Sequence, residues 1–309
     1  MQFPPRPSGL GSSARPDRLR VGPKRNVIDS ASTVGGVAAP DCVSFLSDYG
    51  HTDEFVGVCK AVMLGLAPEL TIIDVTHDIP AHDVRAGGLA LVRAVQYLPD
   101  GIVLAVIDPG VGTDRRCVAV ETETGILLGP DNGLLAPAVA MVGGARRVVS
   151  LTNDEYQLAA PGPTFAGRDV LAPAAGFLAR GVSIDALGSE IDAAGLTPGL
   201  IPLPNIESGM VVGEVWWVDR YGNCQLNIGP DELVSLGATL GEPVEVRLTT
   251  GSRQARWVHT YAEAKPSELV LVVDSYGLIS LALDRKSAAS DCGLHAGASV
   301  TLVPPGERS

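Results

Sequence analysis

The sequence predicts two folded domains, an α/β domain with a mostly parallel central sheet and, after it, a smaller all-β barrel or sandwich. From residue 39 to 195, short apolar segments alternate with segments whose apolar residues recur at helical spacing, the pattern of βαβ units. From residue 210 to 309, short runs of Val, Thr and aromatic residues are separated by turn residues, which is typical of an all-β domain. The Pro- and Gly-rich segment 196–209 is predicted to link the two.

The elements of the first domain follow one another as strand, loop and helix. "CVSFLSDYG" predicts a strand and its loop, "DEFVGVCKAVMLGLAP" a helix that ends at Pro68, and "LTIIDVTHDIP" a second strand and loop. "DVRAGGLALVRAVQYLP" predicts a helix that ends at Pro99, and "GIVLAVIDPG" predicts the next strand. The alternation continues in "GILLGPDNGLLAPAVAMVGG" and "PTFAGRDVLAPAAGFLARG".

The second domain contains only strand patterns between turns. They are "GMVVGEVWWVDRYGNCQLNI", "GEPVEVRLTT", "ARWVHTYAEA", "SELVLVVDSYGLISLAL" and "GASVTLVP". Gly222 in "DRYGN" indicates a hairpin turn, and the aromatic residues beside it suit either packing in the strand or a flat ligand with a polar edge.

Charge and cysteine usage restrict the class of protein. The net charge of -12 argues against a nucleic-acid binder, and no apolar run approaches the ~20 residues that span a bilayer, so a small-molecule ligand is expected. Five cysteines, an odd number without a CxxC spacing, argue against a disulfide framework or a zinc site and favour the cytoplasm. Residues 1–38, rich in Pro, Gly, Ser and Arg, are predicted to be a disordered leader.

The polar residues that follow strands are the candidates for a site. In "VIDPGVGTDRR", Asp108 stands at the end of an apolar strand, where open α/β sheets place ligands, and the turn brings Arg115 and Arg116 back toward it. Taken singly, each such residue also suits a turn or a structural ion pair, as do Arg168 and Asp169. Several polar loops together favour a site.

Most familiar catalytic motifs do not occur. The sequence contains no GxSxG, Walker loop, HExxH or GxGxxG motif, and no two histidines have metal-ligand spacing, so metal catalysis is not expected. His77 and His82, on either side of a proline, are predicted to be solvated loop residues.

Six motifs occur in an order that resembles one known family. "SDYGHTDEFVG", "VIDPGVGTDRR", "GPDNG", "PTFAGRDVLAP", "DRYGN" and "SYGLISLAL" run from about Cys42 to about Pro304. This set resembles the S-adenosylmethionine (SAM) hydroxide adenosyltransferases, hydrolytic relatives of fluorinase and chlorinase. The resemblance implies hydrolysis of SAM to adenosine and methionine, by attack of water or hydroxide on C5′, in a homotrimer whose active sites lie between subunits. SAM is then the substrate, and no cofactor, nucleic acid or membrane partner is expected.

The resemblance also assigns roles to residues. It implies that Asp108 and Arg115 are the catalytic carboxylate and guanidinium, with Arg116 in place of Arg115 if the register is off by one. The SAM-binding residues it implies are Asp48 for the ribose, Phe165 and Gly167 as an apolar wall, Asp219 and Asn223 for the methionine, Tyr221 and Tyr261 beside the adenosine, and Ser275 and Arg285 in the C-terminal motif.

One position departs from the family. The family's motif T-F-H-G-R-D carries a catalytic histidine, and this chain has Ala166 there. His51 or His82 could substitute from another loop. A SAM-dependent halogenase is one alternative, since Ala166 and Gly167 could leave room for a halide, although the carboxylate of Asp108 would repel an anion. A SAM- or adenosine-binding protein without catalysis is the other.

Overall fold

The structure is a computed structural model that describes residues 39–304. The predicted leader, 1–38, lies outside the described residues.

The first domain is built on a seven-stranded sheet. Its strands are β1 (Cys42–Ser47), β2 (Thr71–Thr76), β3 (Gly101–Val106), β4 (Cys117–Glu121), β5 (Gly125–Pro130), β6 (Arg147–Ser150) and β7 (Ser189–Ile191). Its helices are α1 (Phe55–Leu66), α2 (Val84–Val95), α3 (Ala136–Met141) and α4 (Ala172–Ala179), with a π-helical turn at Gly167–Leu171 directly before α4.

The sheet has the order β2-β1-β3-β5-β4-β6-β7, in which the first four strands run parallel and the last three are added antiparallel. All six residues of β1 are buried, including Ser44 and Ser47, because a parallel strand is covered on both faces. Helix α1 packs with α4 over one face, and α2 packs with α3 over the other. The predicted α/β domain is confirmed.

The second domain is a closed β-barrel. Its strands are β8 (Asn205–Glu207), β9 (Met210–Val218), β10 (Cys224–Leu226), β11 (Pro243–Leu248), β12 (Gly251–Val258), β13 (Leu269–Val273), β14 (Ile279–Leu283) and β15 (Ser299–Val303), with the short helices α5 (Pro230–Ser235) and α6 (Ala288–Cys292). Seven of these strands close the barrel, because the long β9 pairs with both β15 and β10. The predicted all-β domain is confirmed as a barrel.

β8 is attached to β9 outside the barrel and falls in the segment predicted to be a linker. The domain limits themselves stay predictions.

Helix α2 connects the two domains. The guanidinium of Arg93 lies over the ring of Trp217, 4.1 Å from its centroid, and 5.4 Å from the centroid of Tyr276. Arg85, on the same helix, forms an ion pair with Glu214 of β9. Trp217 therefore packs within the interface between the domains. Of the two roles that the sequence suggested for the aromatic residues near Gly222, packing or ligand binding, Trp217 has the packing role.

Among residues 39–304, no helix is long and apolar enough to cross a membrane. The same residues contain no group of three or more His, Cys, Asp and Glu side chains arranged to hold a metal ion.

Candidate active site

Two carboxylates leave the sheet at the same edge. β1 and β3 are parallel neighbours that pair Ser47 with Val106 at their carboxyl ends. Asp48 follows β1 directly, and Asp108 follows β3 after one further residue. The carboxyl edge of an open α/β sheet is where such folds bind ligands, so the strand pairing itself brings these two side chains to the expected place.

Asp108 and Arg115 form a two-point ion pair, as expected for a carboxylate and a guanidinium that a turn returns to it. Arg115 donates from Nε to Asp108 Oδ1 at 2.8 Å and from Nη2 to Oδ2. The side chain of Asp108 is only 7% exposed and that of Arg115 only 17%. Charged hydrogen bonds of this fork geometry are strong, so the pair holds the loop between β3 and β4 in one arrangement.

The guanidinium of Arg115 stays charged in this environment. Burial is the largest single influence and lowers its pKa, but the hydrogen bonds to Asp108 and the negative charge of that carboxylate together with other neighbours outweigh it, so the pKa stays above its ordinary value. Arg115 Nη1 also donates to the sulfur of Cys117 at 3.3 Å. Burial raises the pKa of the Cys117 thiol to about 11, so this neighbour is a neutral thiol. Arg115 thus uses three of its five N–H donors, and two remain for a ligand.

Arg116 points to a different partner. It forms hydrogen bonds with Asp131 from Nε at 3.0 Å and from Nη2 at 2.5 Å, and Nη2 also reaches the carbonyl of Gly195. The alternative in which Arg116 replaces Arg115 beside Asp108 is therefore not what the structure shows.

Phe165 and Ala166, in the predicted apolar wall, pack against the core cluster that contains Val106 and Cys117. A β-carbon placed on Gly112 would lie 3.2 Å from the carbonyl oxygen of Pro163, so the loop that carries Arg115 lies against the segment leading into the wall. The π-helical turn begins at Gly167, and the Phe165 carbonyl accepts hydrogen bonds from the backbone of both Arg168 and Asp169.

Arg168 and Asp169 form an ion pair with each other. This is the structural ion pair that the sequence analysis gave as the alternative to a site role for these two residues.

Asp48 is connected to the loop after β2. Its Oδ2 accepts a hydrogen bond from the backbone N–H of His82 at 2.8 Å, and His82 has a φ of 67°. The side chains of His82 and His51 are exposed, and neither forms a hydrogen bond with Asp108 or Arg115 in the described structure. A role for either histidine in place of the missing one is not supported by these contacts.

His77 is buried, so its prediction as a solvated loop histidine is wrong. Only 1% of its surface is exposed. Nδ1 lies 2.7 Å from the hydroxyl of Ser47, and Nε2 lies 3.0 Å from Asp74, which is also paired with Lys60. Burial lowers the pKa of His77, and the carboxylate of Asp74 only partly offsets this. The two side-chain partners satisfy both ring nitrogens, and the ring links the ends of β1 and β2.

The barrel carries a separate open groove of about 690 Å³. Its lining includes five residues predicted to bind SAM, namely Asp219, Tyr221, Asn223, Tyr261 and Arg285. Asp219 accepts hydrogen bonds from the backbone of Tyr221 and Asn223 and from the Asn223 side chain, all at 2.8 to 2.9 Å. These bonds shape the turn predicted from "DRYGN". The rings of Tyr221 and Tyr261 are exposed at the groove.

Some predicted site residues are not brought together. Ser275 lies in an exposed turn between β13 and β14 and does not line the groove. The groove is lined by barrel residues alone, whereas Asp48, Asp108, Arg115, Phe165 and Gly167 all belong to the α/β domain. The described chain therefore presents the predicted site as two halves.

The sequence prediction missed two residues next to the ion pair. Tyr49 and Cys117 both have raised pKa values in which burial is the largest cause and the charge of Asp108 contributes. Tyr49 stands directly after Asp48 in "SDYG", and Cys117 is the first residue of β4, two residues after Arg115. The sequence could have indicated both residues, because they lie next to the candidates Asp48 and Arg115. Nothing in the sequence, however, indicates the direction of either side chain.

The chain joins an α/β domain, which has a buried carboxylate–guanidinium pair at its carboxyl edge, to a barrel with an open polar groove. These features define a two-domain protein built to bind a small polar molecule. Residues 43–188 match the model of the SAM hydroxide adenosyltransferase N-terminal domain, and residues 213–301 match that of the C-terminal domain. The chain belongs to the SAM hydroxide adenosyltransferase family.

Individual relatives agree with this family. The chain is 40% identical over 266 residues to an (R)-S-adenosyl-L-methionine hydrolase of Salinispora tropica, covering 86% of this chain and 95% of the relative. It is 28% identical to a fluorinase of Actinoplanes sp., covering 84% and 97%. A solved structure of an uncharacterized conserved protein from Thermotoga maritima superposes with a TM-score of 0.78 at 29% identity, covering 84% and 99%.

Proposed function

We propose that this protein hydrolyses SAM to adenosine and L-methionine by attack of water on C5′. The observation that carries the proposal is the buried pair of Asp108 and Arg115 at the carboxyl edge of the sheet, at the two positions where the family motif has its catalytic groups. The higher identity to the hydrolase than to the fluorinase also supports hydrolysis over halogenation.

The pair is suited to prepare a water molecule. The sulfonium is already a good leaving group, so the protein has to place the nucleophile and favour its deprotonation. Asp108 accepts a hydrogen bond from the water and aims its lone pair at C5′ from about 3 Å, opposite the sulfur. A charged guanidinium lowers the pKa of a nearby water, and Arg115 has two N–H groups left for this purpose.

The covalent step balances without a cofactor. The oxygen of water forms a bond to C5′ while the C5′–S bond breaks, and the electron pair of that bond stays on sulfur, which leaves methionine as a neutral thioether. The proton of the water passes to Asp108 and then to solvent. SAM is the substrate.

The remaining assignments place SAM across the two halves. We assign Asp48 to the ribose hydroxyls and Phe165 and Gly167 to the apolar wall, and the groove residues Tyr221 and Tyr261 expose rings that suit an adenine. Asp219 and Asn223 are proposed for the methionine end, and Arg285 and Ser275 complete the set.

Because one chain holds the halves apart, we propose a homotrimer in which the α/β edge of one subunit meets the barrel groove of the next. The open groove of about 690 Å³, lined by barrel residues only, supports this arrangement. We also propose a cytoplasmic location, which the five free, buried cysteines support.

The proposed reaction is tested by incubation with SAM in H₂¹⁸O, with and without added chloride, bromide or fluoride. We expect adenosine that carries ¹⁸O at the 5′ oxygen, with an equal amount of methionine. A 5′-halo-5′-deoxyadenosine product would instead identify a halogenase. Calorimetric binding of SAM with no methionine released over hours would identify a binding protein.

A further inference from the structure

A tyrosine packs among the aromatic residues in the α/β half of the predicted site. The ring of Tyr49 packs edge-on against Phe165 and at a tilt against Phe55, with 5.6 Å between centroids in both pairs. Its hydroxyl reaches Gly167: a β-carbon placed on that glycine would lie 2.1 Å from the hydroxyl oxygen. Only glycine leaves room for the phenol here, next to Ala166.

The backbone N–H of Asp48 donates to the Val106 carbonyl at 3.4 Å, so Tyr49 follows β1 beside the loop that carries Asp108, and its hydroxyl keeps its proton. Burial raises its pKa strongly, and the negative charges of Asp48 and Asp108 raise it further. A phenol in this state can accept and donate hydrogen bonds but does not act as a base.

This hydroxyl is also free to bind a ligand. Within the described residues, the only hydrogen bond of Tyr49 to a side chain is donated by its backbone N–H to Ser47, and the phenol oxygen has no protein partner. That oxygen is not among the buried unpaired polar atoms of the described structure, so it retains contact with solvent. A partly buried ring that presents an unpaired hydroxyl to a site is arranged to bind something in that site.

We propose that the Tyr49 hydroxyl orients the attacking water by accepting its second hydrogen while Asp108 accepts the first. The inference rests on the proposed hydrolysis. Two acceptors on the two hydrogens of a water molecule fix the direction of its lone pair, which Asp108 alone leaves free to rotate. The phenol supplies this second acceptor from the loop after β1, beside Gly167 and next to Ala166, which has no polar side-chain group. The proton that the water loses still passes to Asp108.

The test is the variant Tyr49→Phe, which removes the hydroxyl and keeps the ring between Phe55 and Phe165. We expect kcat for adenosine formation to fall about tenfold or more, within the range for loss of a single positioned polar group, and KM to stay within about threefold. The matched control is Tyr156→Phe, because Tyr156 is also partly buried and stacks edge-on against Phe177, with centroids 5.0 Å apart, away from the pair. It should keep kcat and KM within about twofold.

The split between kcat and KM separates positioning from packing. If Tyr49→Phe keeps the parental kcat, or if KM rises and the melting temperature falls together with kcat, Tyr49 has no role in orienting the water. Asp108→Asn is measured alongside, and we expect it to lose at least about a hundredfold in kcat. A parental rate for Asp108→Asn would contradict the proposed mechanism itself, whereas a parental rate for Tyr49→Phe alone would contradict only the inference about the tyrosine.

Discussion

At the scale of single residues, the site depends on close packing as much as on charge. Asp108 and Arg115 are paired to each other, Arg115 also donates to the sulfur of Cys117, and Phe165 and Gly167 of the predicted apolar wall pack against Tyr49. Gly167 is the critical position of that wall, because its missing side chain admits the hydroxyl of Tyr49.

Gly167→Ala should therefore impair catalysis although it adds one methyl group. The new β-carbon would lie 2.1 Å from the Tyr49 hydroxyl and 3.1 Å from its Cζ, so the phenol must move away from the site. We expect kcat/KM to fall about tenfold or more, with a loss of stability of about 1 to 3 kcal/mol from overpacking. Steady-state kinetics and urea unfolding measure the two effects.

Gly162→Ala is the control for this substitution. It lies in the same loop region, and a β-carbon there would meet nothing within 4 Å. Its kcat/KM should stay within about twofold of the parent. Equal kinetics for the two alanine variants would show that the contact between Gly167 and Tyr49 does not matter for the reaction.

At the scale of elements, a set of polar contacts that is buried at Ser47 and His77 and exposed at Asp74 holds the ends of β1 and β2 together. Ser47, the last residue of β1, and Asp74 of β2 bond to the two ring nitrogens of His77, and Lys60 on α1 pairs with Asp74 at 2.6 Å. Asp48 and Tyr49 follow Ser47 directly, so these polar contacts fix the start of the loop that carries both residues.

The burial of His77 makes stability depend on pH. Because burial lowers its pKa below the ordinary 6.5, the folded protein binds fewer protons at this site than the unfolded chain does once the pH falls below about that value. The free energy of unfolding should therefore decrease as the pH falls from 7.5 through 6.5 toward the lower folded pKa. Urea unfolding of the parent and of His77→Gln at pH 7.5, 6.5 and 5.5 measures this. We expect the variant to be less stable than the parent at pH 7.5, and its free energy of unfolding to change less than that of the parent between pH 7.5 and 5.5.

His82→Gln serves as the comparison, since the His82 side chain is exposed. It should keep the parental pH dependence. If His77→Gln and the parent lose the same free energy between pH 7.5 and 5.5, then the titration of His77 is not what links stability to pH.

The elements that the sequence predicted correctly are those with a clear periodicity. The apolar run of β3 and the helical spacing of α2 fix both elements. Pro68 lies two residues beyond the end of α1, close to the predicted end, whereas α2 ends at Val95, four residues before the predicted end at Pro99. The antiparallel strands β6 and β7 are short and were not predicted, because four or three residues hold too little pattern.

Contacts between residues far apart in the sequence could not be predicted from local patterns. The bond between Ser47 and His77 joins residues 30 positions apart, and local composition around His77 resembled a solvated loop. The pair of Asp108 and Arg115 could be predicted because only seven positions and one turn separate them. The direction of the Tyr49 side chain depends on Gly167, more than a hundred residues later, which no local rule connects to it.

At the scale of the whole molecule, the two domains are joined by contacts that do not close the site. Arg93 and Arg85 of α2 bind Trp217 and Glu214 of the barrel, which fixes the two domains to each other within one chain. The groove at Tyr221 and the pair at Asp108 remain separate halves in that chain. If each half meets its complement on a neighbouring subunit, damage to the two halves in different chains should be repaired by mixing them.

Complementation tests this directly. One chain carries Asp108→Asn, and the other carries Tyr221→Ala with Arg285→Ala, two exposed groove positions whose change should leave the barrel folded. The chains are co-expressed with different tags, and oligomers that contain both are isolated by two affinity steps. In a cyclic trimer, every mixed assembly has one site that combines an intact α/β edge with an intact groove, so we expect about one third of the parental rate, against the low rate of either variant alone. Mixed oligomers no more active than the separate variants would place the complete site within a single chain, and a protein that sedimentation shows to be monomeric would contradict the trimer.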